Sequence, residues 1–293
     1  MKKFYSVILL LTILFIRISD LNAQKQAWAL YDSGGRKISY EKMLSRLSDA
    51  DVILFGEQHD NAIAHWLELE VTKDLFAIHG NKLVLGAEMF ETDNQLIMNE
   101  YLNGSFPSDK FEDEMRLWKN YRTDYKPLVE FARENHLSFI ATNIPRRYAG
   151  MVFKLGLDTL AFLSEEARSY FVPLPLVYDT SLTCYSALSG GAQGMMEGHG
   201  SSNLRDAQAI KDATMAWIIL LHMQDSSVFL HFNGAYHSDN KESIVYFLRR
   251  EMPDLKIMTI STVILEDPLQ AEEEINELAD FIICVDEDVT RTY

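Results

Sequence analysis

The sequence has 293 residues, a formal net charge of −16 and 47% hydrophobic residues. Its length suffices for one large domain with a sizeable core. The negative charge argues against nucleic acid as a partner, because an acidic surface repels phosphate backbones at long range. It also disfavours anionic ligands, unless local arginine or lysine side chains overcome the general field.

Residues 1–23 are predicted to be a secretory signal peptide. Lys2 and Lys3 precede an apolar run at residues 7–16, and small residues end at Ala23. The run is too short for a comfortable membrane span, and no lipobox cysteine follows it. We therefore expect an exported protein, periplasmic or associated with the cell surface, with no lipid anchor or transmembrane helix. Removing this segment takes away three of 27 basic and one of 43 acidic residues, which leaves a net charge of −18.

Residues 24–293 are predicted to form one doubly wound α/β domain. Short runs of continuous hydrophobicity, separated by helical patterns, favour a mostly parallel sheet covered by helices on both faces. The predicted strands are residues 52–55, 83–85, 137–140, 228–232, 257–260 and 281–285. The predicted helices are residues 63–77, 93–102, 109–119, 125–135, 206–223 and 241–250.

Residues 149–203 interrupt this alternation. Residues 149–171 have an amphipathic helical pattern with no strand after it, and residues 173–203 mix Pro, Gly, Ser, Tyr and Met with little periodicity. Together they predict an inserted helical cap followed by a mobile loop.

Cys184 and Cys284 are the two cysteines of the chain. They could form a disulfide in an oxidising compartment or remain two buried thiols, and the sequence favours neither alternative.

A strand followed by Gly-x-x-His occurs twice, at Gly56-Glu-Gln-His59 and at Gly234-Ala-Tyr-His237. A glycine lets the backbone turn sharply and sets the histidine just past the carboxyl end of a strand, where open parallel sheets bind ligands. We therefore expect His59 and His237 to meet in one crevice. The alternative is that each is a hydrogen-bonded structural histidine.

Two carboxylates are expected at the same edge. Glu57 lies inside the first motif, and Glu88 follows the predicted strand at 83–85. With His59 and His237, Glu88 could bind a divalent ion, or a carboxylate such as Glu57 could act as a general base. The alternative is that either glutamate caps the amino terminus of a neighbouring helix.

Two further groups of residues are candidates for ligand contacts. Arg146, and less favourably Arg147, would suit the carboxylates of a ligand, although pairing with neighbouring acids is the simpler explanation. Tyr121 and Tyr125 could supply a phenolate to ferric haem iron, although aromatic residues more often pack in a core. Softer candidate ligands in the predicted loop are Met195, Met196 and His199.

The order of these motifs resembles that of ChaN-like proteins, and the resemblance covers most of the predicted mature chain. Paired Gly-x-x-His motifs with a matching acid also occur in the wider superfamily of Tiki metalloproteases and TraB-like proteins, and erythromycin esterases have a comparable His and Glu arrangement. The segments that carry the resemblance are Gly56–Asn61, Gly86–Phe90 with Gln95, Tyr125–Ala132, Ala141–Arg146, Gln208–Ala216 and Gly234–His237.

This resemblance implies an iron-regulated protein of haem acquisition that can hold haem between two subunits, with a tyrosine as iron ligand. A homodimer and an outer-membrane uptake partner are the implied protein partners. In that interpretation Arg146 contacts a propionate, Tyr125, Tyr121, His59, His237 or His199 ligates the iron, and the cap covers the porphyrin.

The alternative function is a metal-dependent hydrolase that uses His59, Glu88 and His237, with Glu57 activating water. A dedicated hydrolase would be expected to show a tighter ligand signature, such as paired histidines on one helix. A ligand-free interaction module is disfavoured, because the polar groups concentrate at strand ends.

Overall fold

The computed structural model describes residues 25–190, 200–271 and 275–293. The predicted signal peptide therefore lies outside the described residues. The same is true of the candidate ligands Met195, Met196 and His199. Within the described ranges, no helix is both long and apolar enough to cross a membrane.

Seven strands form one sheet in the order β1-β7-β6-β2-β5-β3-β4. Every neighbouring pair is parallel except β1 and β7, which are antiparallel. The six predicted strands are confirmed, and most extend a few residues further than predicted. The strands are β1 Trp28–Asp32, β2 Val52–Glu57, β3 Leu83–Glu91, β4 Phe139–Asn143, β5 Val228–Gly234, β6 Ile257–Leu265 and β7 Phe281–Asp286.

Helices connect the strands, as expected for a doubly wound fold. The α-helices are α1 Tyr40–Leu47, α2 Ala62–His79, α3 Gln95–Leu102, α4 Ser108–Glu114, α5 Lys126–Glu134, α6 Arg146–Leu155, α7 Glu165–Arg168, α8 Thr183–Gly190, α9 Gly200–His222 and α10 Ile244–Glu251. Shorter segments are the π-helical turn Tyr121–Tyr125 and the 3-10 turns Gly80–Lys82, Thr92–Asn94, Leu157–Phe162, Ala235–His237 and Asp239–Lys241.

The sheet is buried on both faces, which explains the continuous hydrophobicity of its central strands. In β2, Ile53 and Phe55 belong to a core cluster that includes residues of α2 and α5. The alternate residues Val52 and Leu54 belong to a second cluster that includes residues of α9 and α10. Because successive side chains point to opposite faces, both sets must be apolar.

The predicted cap is helical, and the described part of the segment after it also contains helix. Helices α6 and α7 belong to a third apolar cluster, in which Val152 and Phe171 join Ile210 of α9. Helix α8 and the start of α9 lie within residues 173–203, which were predicted to be a loop. Tyr185 of α8 is fully buried in the second core cluster, so tertiary packing stabilises a helix whose local pattern is weak.

Two elements near the amino terminus were missed by the sequence analysis. Strand β1 is short and pairs only with β7 at the edge of the sheet. Helix α1 begins after Ser39, whose side chain accepts a hydrogen bond from the Lys42 backbone N–H at 3.3 Å. Such a cap is a standard start signal, and it could have been recognised.

Both cysteines are buried and unpaired. Cys184 packs in the second core cluster, and Cys284 belongs to the cluster beside β1. The buried-thiol alternative therefore describes this structure.

Gly86 of β3 packs closely against the Phe229 side chain of β5. A β-carbon at Gly86 would lie 2.7 Å from the Phe229 ring, whereas one at Gly150 in α6 would meet no atom within 4 Å. We expect Gly86→Ala to lower the free energy of unfolding by about 1–3 kcal/mol through overpacking. Gly150→Ala should raise it by about 0.5–1 kcal/mol, because glycine is costly inside a helix. Urea denaturation measures both, and equal effects of the two changes would contradict this account of Gly86.

Candidate functional site

A cavity of about 1340 Å³ opens at the carboxyl ends of the central strands. His59 follows β2, His237 follows β5, and Glu88 lies near the end of β3; β5 pairs with both other strands. All three residues line the cavity, as do Glu57 and Arg146. The predicted meeting of the two Gly-x-x-His motifs at one crevice is therefore observed.

Gly234 allows the two motifs to approach each other closely. A β-carbon at this position would lie 2.8 Å from His59 Nε2 and 3.6 Å from Glu88 Oε2. The φ angle of Gly234 is −55°, which any residue can adopt. The glycine therefore makes room for His59 in its observed position, and it is not required by the sharp turn that the sequence analysis proposed.

The Glu57 carboxylate fixes the orientation of His59. His59 Nδ1 lies 2.5 Å from Glu57 Oε1. Burial alone would raise the pKa of Glu57, but its close contacts with His59 and His65 outweigh burial and lower the pKa to about 2. An ionised carboxylate only accepts hydrogen bonds, so the shared hydrogen is on His59 Nδ1. Burial lowers the pKa of His59, yet the bond to Glu57 prevails and the net shift is upward.

Glu57 also anchors two buried residues behind the cavity. The Tyr125 hydroxyl donates a hydrogen bond to Glu57 Oε1 at 2.7 Å. His65 Nδ1 lies 2.9 Å from Glu57 Oε2 and 3.1 Å from Glu68 Oε2. Although burial opposes it, contact with these two carboxylates raises the pKa of His65 to about 11. Burial, reinforced by the charge of Glu57, raises the pKa of Glu68 well above its ordinary value.

His237 is held between two carboxylates. Its Nε2 lies 3.1 Å from Glu88 Oε1, and its Nδ1 contacts Asp212 of α9. Burial alone would lower the pKa of His237, but the charges of Glu88 and Asp212 raise it to about 10. Tyr185 donates a hydrogen bond to Asp212 at 2.8 Å, and the Gly234 N–H donates one to Glu88 at 2.8 Å. His237 is therefore a fixed cation with both nitrogens engaged.

The predicted site residues are thus only partly brought together. Tyr121 and Tyr125 are buried core residues and are absent from the cavity lining among the described residues. Arg146 lines the cavity and pairs with Glu91, while its side chain remains 60% exposed. Arg147 pairs with Asp93 at the surface, as the simpler explanation predicted.

Apolar and basic side chains complete the wall of the cavity. Trp118 packs edge-on against His59, with ring centroids 4.8 Å apart. Further apolar lining includes Leu117, Ile144, Ala149, Phe153, Leu204 and Ala207, and the other basic groups are Lys119 and Lys211. Besides Glu57 and Glu88, the acidic lining residues are Glu91, which pairs with Arg146, and Asp239. Such a mixture suits a large, mostly apolar ligand that carries negative groups at its edge.

Comparison with known proteins identifies the family. Residues 43–248 match the family described as haem-binding uptake, Tiki superfamily, ChaN. The chain belongs to this family. No protein of curated function matches it in sequence.

Solved structures share the fold of this ChaN-family chain. ChaN of Campylobacter jejuni, described with cofacial haem binding, has a TM-score of 0.67 and 18% identity, over 89% of this chain and 98% of that one. An erythromycin esterase mutant in its open conformation has a TM-score of 0.53 and 11% identity, over 89% and 97%. A Bacillus cereus protein has a TM-score of 0.52 and 12% identity, over 88% and 94%. At such identities these likenesses concern the fold alone.

The sequence analysis missed several buried polar residues of this family member. His65 and Glu68 lie one turn apart on α2, and a His-x-x-Glu pair after the helix-capping Asn61 was a detectable signal. Asp212 lies in a recognised motif, where it is an acid among the apolar residues of α9. Asp124 contacts His65 Nε2 at 3.4 Å, and nothing in its local pattern indicated this contact.

The charge of His237 predicts a pH-dependent contribution to stability. We expect His237→Gln to cost about 3–5 kcal/mol at pH 6.5, because Glu88 and Asp212 lose their buried partner. Folding raises the pKa of His237 from 6.5 to about 10, so the charged histidine contributes its full stabilisation below pH 6.5. This stabilisation is lost as the pH rises from 6.5 through about 10. The difference between wild type and variant should therefore shrink in urea denaturation from pH 6.5 to 9.5.

His222→Gln is the matched control for this measurement. His222 lies at the far end of α9, where its Nδ1 contacts the Ile218 carbonyl. Its difference from wild type should stay small at every pH. A His237→Gln difference that is constant or grows with pH would show that His237 is not held as a cation.

Proposed function

We propose that this protein binds haem in the cavity, with His59 as the iron ligand. The observation that carries the proposal is the state of His59. Its Nδ1 hydrogen is donated to Glu57, and its side chain remains 33% exposed in the cavity wall. In the neutral ring the hydrogen is therefore on Nδ1, and Nε2 has the lone pair that haem iron requires from an imidazole. Because the pKa of His59 is raised, iron must displace a proton from Nε2 when the ring is charged.

The residues present fit a haem group in size and chemistry. The cavity exceeds the ~300–1,000 Å³ typical of small-molecule pockets. Leu117, Trp118, Ile144 and Phe153 offer apolar surface for a macrocycle, and burial of that surface would supply most of the affinity. In this proposal Arg146, which lines the cavity and is 60% exposed, pairs with a propionate in addition to Glu91. When bound, the haem supplies the iron chemistry, and this chain's residues orient and enclose it.

Glu57 acts on the iron through His59. A carboxylate that accepts the Nδ1 hydrogen of a ligating histidine fixes its tautomer and ring orientation and strengthens Nε2 as a donor. Tyr125 donates a hydrogen bond to the same oxygen and so helps hold the carboxylate in place. In this proposal Tyr125 is a positioning residue, because its hydroxyl is engaged outside the cavity.

We further propose that the protein is exported, acts in iron acquisition and shares haem between two subunits. The basic and apolar pattern of residues 1–23 supports export. Phe153 and Leu204 are 48% and 40% exposed at the cavity, and a second subunit would cover them. Fractionation of cells grown with and without iron tests export and induction, and light scattering with hemin tests the dimer. Unchanged expression under iron limitation would argue against an uptake role.

A metal-dependent hydrolase is the second candidate. The observation that favours it is the hydrogen-bonded pair of Glu57 and His59 beside Glu88, because such a pair suits a general base. His237 has no free nitrogen in the present arrangement, which weakens the metal set His59, Glu88 and His237. Metal-dependent ester or peptide hydrolysis that is lost in His59→Ala would favour this candidate over the carrier.

Hemin titration tests the principal proposal. Wild-type mature protein should give a saturable Soret shift with a fixed stoichiometry, and His59→Ala should abolish the shift at equimolar hemin. His222→Ala is the control, since His222 lies at the opposite end of α9 from Gln208 and Lys211. A Soret shift that survives His59→Ala but disappears in Tyr125→Phe would assign the iron to the tyrosine instead.

The affinity for hemin should depend on pH through His59. Protons compete with iron for His59 Nε2, so affinity should rise with pH and level off above the pKa of free His59, which lies above 6.5. Glu57→Gln removes the charge that raises this pKa. The variant should bind hemin about 10–100-fold more weakly and level off at a lower pH. Identical pH profiles for wild type and variant would rule out an action of Glu57 through His59.

A further inference from the structure

A second cluster lies at the other oxygen of the Glu57 carboxylate. Glu57, His65 and Glu68 are all buried, and one potential ligand atom from each lies within 4.8 Å of the others. We propose that this cluster binds a divalent transition-metal ion such as Zn²⁺ or Mn²⁺. The ligands are Glu57 Oε2, His65 Nδ1 and the Glu68 carboxylate. The proposed site shares Glu57 with the cavity but uses its other oxygen, and the proposal does not depend on haem binding.

The spacing of these atoms matches metal ligands. His65 Nδ1 lies 2.9 Å from Glu57 Oε2 and 3.1 Å from Glu68 Oε2. Two ligand atoms that are each about 2.1 Å from an ion are about 3.0 Å apart at the 90° angle of octahedral coordination, and about 3.4 Å apart at the tetrahedral angle that zinc prefers. Small side-chain shifts would therefore be needed for zinc, whereas the observed spacing suits octahedral manganese directly. One imidazole with two carboxylates is a donor set suited to zinc or manganese, whereas magnesium and calcium prefer oxygen alone.

Hydrogen bonding leaves part of this cluster unsatisfied. Within the described residues, Glu68 Oε1 and Glu57 Oε2 are buried without a hydrogen-bond partner of good geometry. His65 carries a single hydrogen on Nδ1. The hydrogen bond from Nδ1 goes to Glu68 Oε2, so Nδ1 cannot also form a well-aligned hydrogen bond with Glu57 Oε2. Buried carboxylate oxygens without partners are costly, and an ion between them would satisfy both.

The charge of the cluster also favours a dication. Glu57, Glu68 and the adjacent Asp124 are three acids, and His65 is the basic group that contacts all of them. Burying several acids together is unfavourable unless they share protons or a cation. A divalent ion in place of the Nδ1 hydrogen adds one net positive charge. On the other side of the ring, the His59 carbonyl oxygen accepts a hydrogen bond from Nε2 at 3.1 Å, with Asp124 nearby at 3.4 Å, and such a partner can orient a ligating histidine.

Local structure holds the ligands in place. Helix α2 begins at the Asn61 cap, whose side chain accepts hydrogen bonds from the N–H groups of Ile63 and Ala64 at 3.0 Å. His65 and Glu68 follow on consecutive turns, so they point from the same face of α2 toward the end of β2. A site between a helix face and a strand end is rigid, and it would tie α2 to the sheet.

Metal analysis of haem-free protein tests the proposal. Mature protein stripped with a chelator, equilibrated with Zn²⁺ and dialysed should retain about one zinc per chain by mass spectrometry of the metal. Glu68→Gln and His65→Gln should each reduce retention at least tenfold. Glu70→Gln is the matched control, because Glu70 lies on the same helix, pairs with Lys73 and is only partly buried.

His59→Ala distinguishes this cluster from the cavity. The variant should keep its zinc while losing the hemin Soret shift, so failure of the haem proposal leaves this test intact. Zinc that is lost in His59→Ala but kept in Glu68→Gln would place the ion in the cavity and overturn the proposal. Folded wild-type protein without stoichiometric zinc or manganese would overturn it as well, whether or not the Glu68 and His65 variants fold.

Discussion

The buried negative charge of Glu57 is the constraint on which the rest of the site depends. An ionised carboxylate removed from water is stable only if it is paired and hydrogen-bonded. Its partners are His59 from the loop after β2, His65 from α2 and Tyr125 from the π-helical turn. One residue at a strand end therefore connects three separate segments, and loss of its charge would release all of them.

The two Gly-x-x-His motifs have the same pattern but different electrostatic surroundings. His59 contacts one carboxylate and is partly exposed, so one nitrogen remains available to a ligand. His237 is buried between Glu88 and Asp212, which keep it charged and engage both nitrogens. The first motif thus supplies a donor, whereas the second supplies a fixed positive charge that stabilises two buried acids at the cavity floor.

Glycines in these motifs serve close packing. A β-carbon at Gly56 would lie 2.8 Å from the Ile260 carbonyl oxygen, and one at Gly234 would meet His59. Gly56 is crowded because β2 lies between β5 and β6 and because Ala235 and Ser238, which follow β5, lie beside it, whereas Gly234 is crowded by the His59 side chain. The space beside Gly56 is filled by the backbone of β6, and the space beside Gly234 is filled by His59. A substitution that changes the packing of the sheet at either glycine would therefore also change the shape of the cavity.

The sequence by itself determined the six principal strands, the parallel sheet with helices on both faces, and the edge at which His59, His237 and Glu88 meet. These features follow from local hydrophobic runs and from the rule that parallel strands end together. Tertiary structure decided the rest. It placed Tyr121 and Tyr125 in the core, formed α8 around the buried Tyr185, and brought Asp124 and Asp212 to the histidines. Burial and charge pairing depend on residues distant in sequence, so no local pattern could assign one histidine as a donor and the other as a cation.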